Sequence, residues 1–215
     1  MSASFRKRRE PKELRAWKRQ SEPLTDKGWN ELEQDAKRAV RTRLHRDQGG
    51  LCCYCYVRIG DDSTSHIEHV APQSEHNRFD WENLALACEG GNDSGAPAHC
   101  DHAKDQTALE VVHPYKAPVS RYVRLRKGTG ALQVKPEATH DVVVVLQLNR
   151  KHLQRLRRSA LAAALQDLED DKRRREEWKA RPLQQALDDL RQRREPIDYQ
   201  PLIEAWLEQR LRRAG

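Results

Sequence analysis

The sequence predicts an α+β fold: a small cysteine-held core, flanking α-helices, a short β hairpin and a helical C-terminal extension. Three observations predict it. All five cysteines fall between Cys52 and Cys100, three of them inside four residues. Apolar residues recur at three- and four-residue steps before this region and again after Asn149. Between the cysteines and that second periodic stretch lie short β-branched runs broken by the turn Lys127-Gly128-Thr129-Gly130.

Composition narrows the classes. Of 215 residues, 37% are hydrophobic and 34% charged, which gives a modest core under a charged surface and argues against a large buried cavity. The longest apolar run, Leu51 to Val57, is seven residues, against roughly 18 for a membrane span. The basic cluster ending at Arg9 has no apolar segment behind it, so no secretory signal is read and a cytoplasmic location is expected. A net charge of +7 is permissive for a polyanionic partner without identifying one. Aromatic residues, at 6%, are too few for an extended base-stacking platform.

Three regions follow along the chain. Residues 1–24 form a basic N-terminal arm, with eight Lys or Arg between Arg6 and Arg19 against two Glu. It reads either as a solvated arm or as a segment that orders against a partner or nucleic acid. Residues 25–148 form the central domain with a leading helix and added strands. Trp29, Leu32, Ala36, Ala39, Val40 and Leu44 mark one face of that helix, with Asp26 as its cap and Gly49-Gly50 as its end. Arg121–Arg126 and Ala131–Val134 are expected to pair as a hairpin, and the valine run in Asp141–Leu148 reads as a strand buried on both faces. Residues 149–215 form a charged helical region, with 17 basic and 12 acidic residues. Asn149 is expected to cap a helix whose stripe is Leu153, Leu156, Ala160, Leu161, Ala164, Leu165 and Leu168, running on into the charged stretch 167–179. A second helix follows from Pro182 until Pro196 ends it, and a last one runs from Pro201 to Arg213.

The cysteines point to a metal. Cys52 and Cys55, two residues apart, can offer both thiolates from one turn, and two more from a distant segment complete a tetrahedral zinc site. The expected ligands are Cys52, Cys55, Cys88 and Cys100, with Cys53 spare and His99 as an alternative to one thiolate. Such a closed site is structural. The residues between Cys88 and Cys100 read as a loop inserted into a knuckle.

Between the two halves of this knuckle lie Ser65-His66-Ile67-Glu68-His69, with Pro72 behind, and Trp81-Glu82-Asn83-Leu84; His99-Cys100-Asp101-His102 with Lys104 closes the region. Together with Cys52-Cys53-Tyr54-Cys55, these phrases resemble the HNH endonuclease motif, the ββα-metal motif, with a zinc knuckle embedded. The narrower resemblance is to the PtuB-type HNH proteins of Septu and retron-associated anti-phage systems, and Leu146-Gln147-Leu148-Asn149 with Leu153 extends it. The HNH resemblance covers about residues 50–106 and the narrower one runs to about residue 165.

The resemblance implies a zinc-stabilised ββα-metal core and roles for its residues. His69 corresponds to the general base, Glu68 to a ligand of a catalytic Mg²⁺ or Mn²⁺ ion, and Asn83 to the residue that orients the base. Asp101 occupies the position of a further metal ligand, where many relatives carry Asn or His, so neighbouring His102 stands as its substitute. A regular strand would point Glu68 and His69 to opposite faces, so the strand has to end or twist there; His66 reads as structural. The implied activity is phosphodiester hydrolysis in nucleic acid, DNA by default with RNA or tRNA open, controlled by an ABC/SMC-like ATPase partner of the PtuA type in a defence complex. The alternative is a zinc-stabilised adaptor that binds nucleic acid or a partner without cutting. A transcription factor is disfavoured, since no basic recognition helix with a dimer seam is visible. Trp17, Trp178 and Trp206, outside the motif, are expected to mark ends of the chain that dock onto the ATPase.

Overall fold

Residues 84–88 read Leu-Ala-Leu-Ala-Cys, and all five are buried because this strand is covered on both faces. The computed structural model describes residues 5–60, 65–91, 95, 97–166, 168 and 180–214. The strand, β2 (Leu84–Cys88), pairs antiparallel with β1 (Ser65–His69), setting Glu68 opposite Ala85 and His69 opposite Leu84. Alternation sends Leu84 and Leu86 into one apolar cluster and Ala85 and Ala87 into another. The short helix α3 (Cys100–Lys104) follows, which completes a ββα order.

The first cluster is built by α1 (Lys12–Gln20) and α2 (Gln34–Asp47) packed together, with Leu14, Trp17, Val40, Leu44, Phe79 and Trp81 buried. The solvated-arm reading is therefore corrected. Leu14 and Trp17 alone are worth about 2–3 kcal/mol each in buried apolar area. The cations of the arm also find partners inside the fold. Lys7 donates to the Leu84 carbonyl with its Nζ 4.6 Å from the centres of both the Trp81 and Tyr115 rings. Burial pushes that ammonium down to about 8. The Arg8 carbonyl accepts from Trp81 Nε1 at 2.7 Å, and its amide donates to Asp47.

The second cluster joins the cysteines to the hairpin and the C-terminal helices. Strands β3 (Val123–Leu125) and β4 (Leu132–Val134) pair antiparallel as expected, just after the single turn α4 (Val119–Tyr122). Helix α5 (Lys151–Ala164) and the helices α6 (Ala180–Gln192) and α7 (Gln200–Ala214) close over them. The amide of Tyr199 donates to the Tyr56 carbonyl at 2.7 Å, tying the start of α7 to the cysteine turn. Trp206 is buried here and Trp17 in the first cluster, so neither is an unspent apolar group awaiting a partner; Trp178 and residues 169–179 lie outside the described residues.

Four sequence expectations are corrected. The leading helix starts at Gln34, preceded by 3-10 turns at Leu24–Asp26 and Trp29–Glu31, so Asp26 does not cap it. The valine run is not a strand but a wide helical turn, His140–Val145, with Val144 exposed. Its cause is Asp141, whose fully buried carboxylate accepts from the amides of Glu110, Val111 and Val112, each at 2.8 Å. Asn149 does not cap α5; its amide pairs with both backbone groups of Leu132 at 2.9 Å, fastening the hairpin. On α5 the buried face carries Leu153, Arg157 and Leu161, while Leu156 is exposed.

Candidate active site and cysteine cluster

The turn Cys52–Cys55 sits beneath β2, where the Cys53 amide donates to the Leu86 carbonyl at 3.0 Å. The Sγ atoms of Cys52, Cys55, Cys88 and Cys100 all lie within 4.8 Å of one another, and all four residues are buried. Cys52 and Cys100 are 3.9 Å apart, Cys55 and Cys88 3.8 Å. Zinc–thiolate bonds of about 2.3 Å in a tetrahedron place sulfurs about 3.8 Å apart, so the donor set fits a zinc ion. Cys100 reaches the cluster with a left-handed backbone, φ 55°, held by its amide on the Leu146 carbonyl. His99 stands against the cluster, its Nδ1 3.2 Å from Cys100 Sγ, and burial pushes its pKa down to about 4, so it is a neutral neighbour. The loop between the two halves is closed by the His99 amide on the Gly90 carbonyl. Gly90 has φ +63°, and a Cβ there would lie 2.3 Å from the His99 carbonyl oxygen.

Anchoring Cys100 places α3 against the end of β1, and that brings two carboxyl groups together. Glu68 is buried, and the Asp101 carboxyl lies beside it in the same cleft. Two donors converge on Glu68 Oε1: the Tyr54 hydroxyl at 2.7 Å and Lys104 Nζ at 3.0 Å. Burial first, and the neighbouring Asp101 carboxyl second, push the Glu68 pKa up to about 9, against the pull of Lys104 and Tyr54. Two adjacent carboxyl groups form a pair of hard oxygen donors, which is what a divalent ion such as Mg²⁺ or Mn²⁺ takes from a protein.

His69 lies beside this pair because β1 ends there. Glu68 and His69 alternate in direction, yet with Asp101 and His102 they line one open cleft of about 360 Å³. The His69 ring has Nε2 2.9 Å from the Arg78 carbonyl oxygen and meets the Trp29 ring edge-on at 5.0 Å. A carbonyl only accepts, so Nε2 carries the hydrogen and Nδ1 keeps its lone pair. Burial lowers the pKa of this imidazole below the ordinary histidine range. The expected partner Asn83 acts at one remove. Its Oδ1 accepts from the Ala71 amide at 2.7 Å and its Nδ2 donates to the carbonyls of Ala71 and Asn77. It braces the loop that presents Arg78 and does not bond to the imidazole.

Tyr54 and Lys104 are site residues to which sequence reasoning gave no role. Lys104 is 1% exposed, and such a lysine needs a partner, but nothing in its local sequence announces burial. His66 lies outside the cleft, on the surface 3.7 Å from Glu89. His102 lines the cleft from an exposed position, whereas Asp101 is the residue in contact with Glu68. A further acidic and histidine group, Glu110, His140 and Asp141, is committed elsewhere, since three backbone amides occupy the Asp141 carboxylate.

The model of the HNH endonuclease family matches residues 52–94. The HNH match begins at the first knuckle cysteine and takes in Glu68, His69, Asn83 and Cys88; Cys100, Asp101 and Lys104 lie beyond it. A curated relative, named "Retron Vc95 putative HNH endonuclease", from Vibrio cholerae serotype O1 biovar El Tor, is 38% identical over 60 residues. That alignment covers 26% of this chain and only 29% of the relative's length. Among the described residues no helix is long and apolar enough to cross a membrane.

Proposed function

We propose that this chain is a metal-dependent HNH endonuclease that hydrolyses phosphodiester bonds of nucleic acid, with DNA as the default substrate and RNA, including tRNA, as the other. The observation that carries this reading is the meeting of Glu68, Asp101 and His69 in one cleft beside a segment that matches the HNH family. Glu68 and Asp101 would hold the Mg²⁺ or Mn²⁺ ion, which supplies positive charge to the phosphate oxygens and the leaving 3′ oxygen. His69 takes a proton from the attacking water at Nδ1, while the Arg78 carbonyl fixes the tautomer through Nε2. A lowered pKa keeps the ring neutral, and so able to act, at pH 7. Lys104 holds the His69 carbonyl at 3.0 Å and so fixes where β1 stops. Zinc held by Cys52, Cys55, Cys88 and Cys100 is structural in this reading.

The family resemblance and the retron name of the relative support a place in anti-phage defence, with an ABC/SMC-like ATPase of the PtuA type as controlling partner. Burial of Trp17 and Trp206 moves the contact with that partner away from these residues. The nuclease reading is tested by incubating purified protein with plasmid DNA and with tRNA in Mn²⁺, beside His69→Ala. Cutting by the wild type alone supports it; equal residual cutting in both leaves a zinc-stabilised adaptor. Co-expression with the ATPase of a neighbouring reading frame, followed by co-purification, tests the partner.

A further inference from the structure

Outside the cleft, the hairpin and α7 enclose a second concave surface. Two adjoining hollows of about 700 and 790 Å³ share Arg124, Trp206 and Arg213 as a common wall. Strand geometry turns Arg124 and Arg126 to one face of β3 and its extension, with Val123 and Leu125 buried on the other. From the opposite side, Arg210 and Arg213 stand three residues apart on α7, one above the other on the same face. Arg212 extends the rim. The one carboxylate on the lining, Glu208, is turned to Arg191, while among the described residues no carboxylate lies within ion-pair distance of Arg124, Arg126, Arg212 or Arg213. The buried Trp206 ring forms the floor, with the Arg210 guanidinium 5.0 Å from its centre.

Guanidinium groups gathered from two elements into one concavity repel each other, and walls of low dielectric focus their field outward. Carboxylates interspersed among the cations cancel such a field, as in the hollow between α1 and α2, where Lys12 and Arg15 share the lining with Glu10, Glu13 and Asp35. Arginine in a fixed fork suits phosphate oxygens, and a run of such groups along a groove suits a chain of phosphates more than a single anion.

We infer that the groove between β3–β4 and α7 binds the sugar–phosphate backbone of nucleic acid, as a second contact separate from the Glu68–His69 cleft. This inference rests on the nuclease reading for the identity of its ligand. It assigns the C-terminal helix to holding substrate.

The test measures binding apart from cutting. Full-length protein carrying His69→Ala is titrated into a labelled 30-base-pair DNA duplex and a matching RNA hairpin, and anisotropy is followed across a salt series. Adding Arg124→Glu and Arg213→Glu is expected to weaken binding at least tenfold. It is also expected to flatten the slope of log K against log salt by about 2, as befits two lost phosphate contacts. The control, Lys12→Glu with Arg15→Glu on α1, makes the same change in net charge and is expected to stay within threefold. Circular dichroism and zinc content establish that each variant is folded. Equal weakening by both pairs, or binding within threefold and an unchanged slope for the groove pair, overturns the inference. So does a parent that binds neither nucleic acid, which would leave an acidic polypeptide as the occupant. Groove-dependent binding by a protein that never cuts sinks the nuclease reading and leaves the groove standing. Cutting that survives the groove pair undiminished on long DNA does the reverse.

Discussion

Lys104 Nζ lies 3.0 Å from Glu68 Oε1 and 3.0 Å from the carbonyl oxygen of His69, so one buried ammonium holds two consecutive residues of β1 that point in different directions. It is the device by which a carboxylate and an imidazole from one strand end come to line the same cleft.

Replacing Lys104 by Met removes that clasp. Glu68 can take up a proton, so the loss is that of hydrogen-bond partners and not of a counter-ion to a fixed charge, and about 1–3 kcal/mol of stability should go. Urea unfolding measures it. Cleavage should fall as well, because the His69 carbonyl is no longer tethered. Wild-type stability in this variant would show that Lys104 fills space only.

Metal binding should release a proton. In the metal-free fold Glu68 has a pKa raised to about 9, so below that pH its carboxyl is protonated, while in the unfolded chain it ionises near the ordinary carboxylate range. The raised value contributes stability at low pH, and that contribution is lost as pH rises towards about 9. A divalent ion bound by ionised Glu68 and Asp101 must displace the proton, so apparent affinity should rise with pH across this window. Calorimetry of Mn²⁺ binding in two buffers of different ionisation heat should count about one proton per ion; none would remove Glu68 from the ligand set.

His69→Ala should lower the cleavage rate by about 10²–10⁴ and leave the fold intact, because the imidazole supplies chemistry more than packing. Since burial depresses the pKa of His69, the neutral base survives into mildly acid pH. The acid limb of the rate profile should then lie below the ordinary imidazole range. Asn83→Ala should behave differently. It orphans the Ala71 amide and loosens the Arg78 loop, so it should cost about 1–3 kcal/mol of stability and cut the rate less than His69→Ala. The ordering of the two rates is the measurement.

How far the sequence reveals this architecture depends on the range of the interactions that decide each part. The knuckle and the hairpin are legible because local spacing determines them, while the ββα order is legible only through the resemblance of the motif to the HNH family. The valine run is misread as a strand because its conformation depends on Asp141, whose buried carboxylate collects three amides some 30 residues earlier in the chain. Asp141→Ala should accordingly cost about 3 kcal/mol, one ordinary hydrogen bond for each orphaned amide. The basic arm misleads for a similar reason. Its charge pattern is that of a solvated segment, but Lys7 ends between Trp81 and Tyr115, more than 70 residues away. In the site, Glu68, His69 and Asp101 can be picked out by motif, while Tyr54 and Lys104 become visible only through burial and distance.

The last prediction concerns a charge. Arg157 is fully buried; its Nε donates to the Gly130 carbonyl at 2.8 Å, and Nη1 has no partner. No carboxylate lies within ion-pair distance of it among the described residues, and burial lowers its pKa, opposed by Tyr199, Cys55 and Cys100. A buried cation without a counter-charge would be severely destabilising. We propose that the four cysteines resolve this: as thiolates on one zinc ion they would carry a net charge of −2, which the guanidinium would partly offset. Arg157→Met should therefore weaken the hold on zinc about 10-fold or more, as loss of a supporting group commonly does. Arg157→Lys should recover part of the hold. The rate of zinc transfer to a chromophoric chelator reads this directly, with no reference to cleavage. If release is unchanged in a folded Arg157→Met protein, Arg157 serves only to brace the Gly130 turn, and the thiolates are balanced elsewhere.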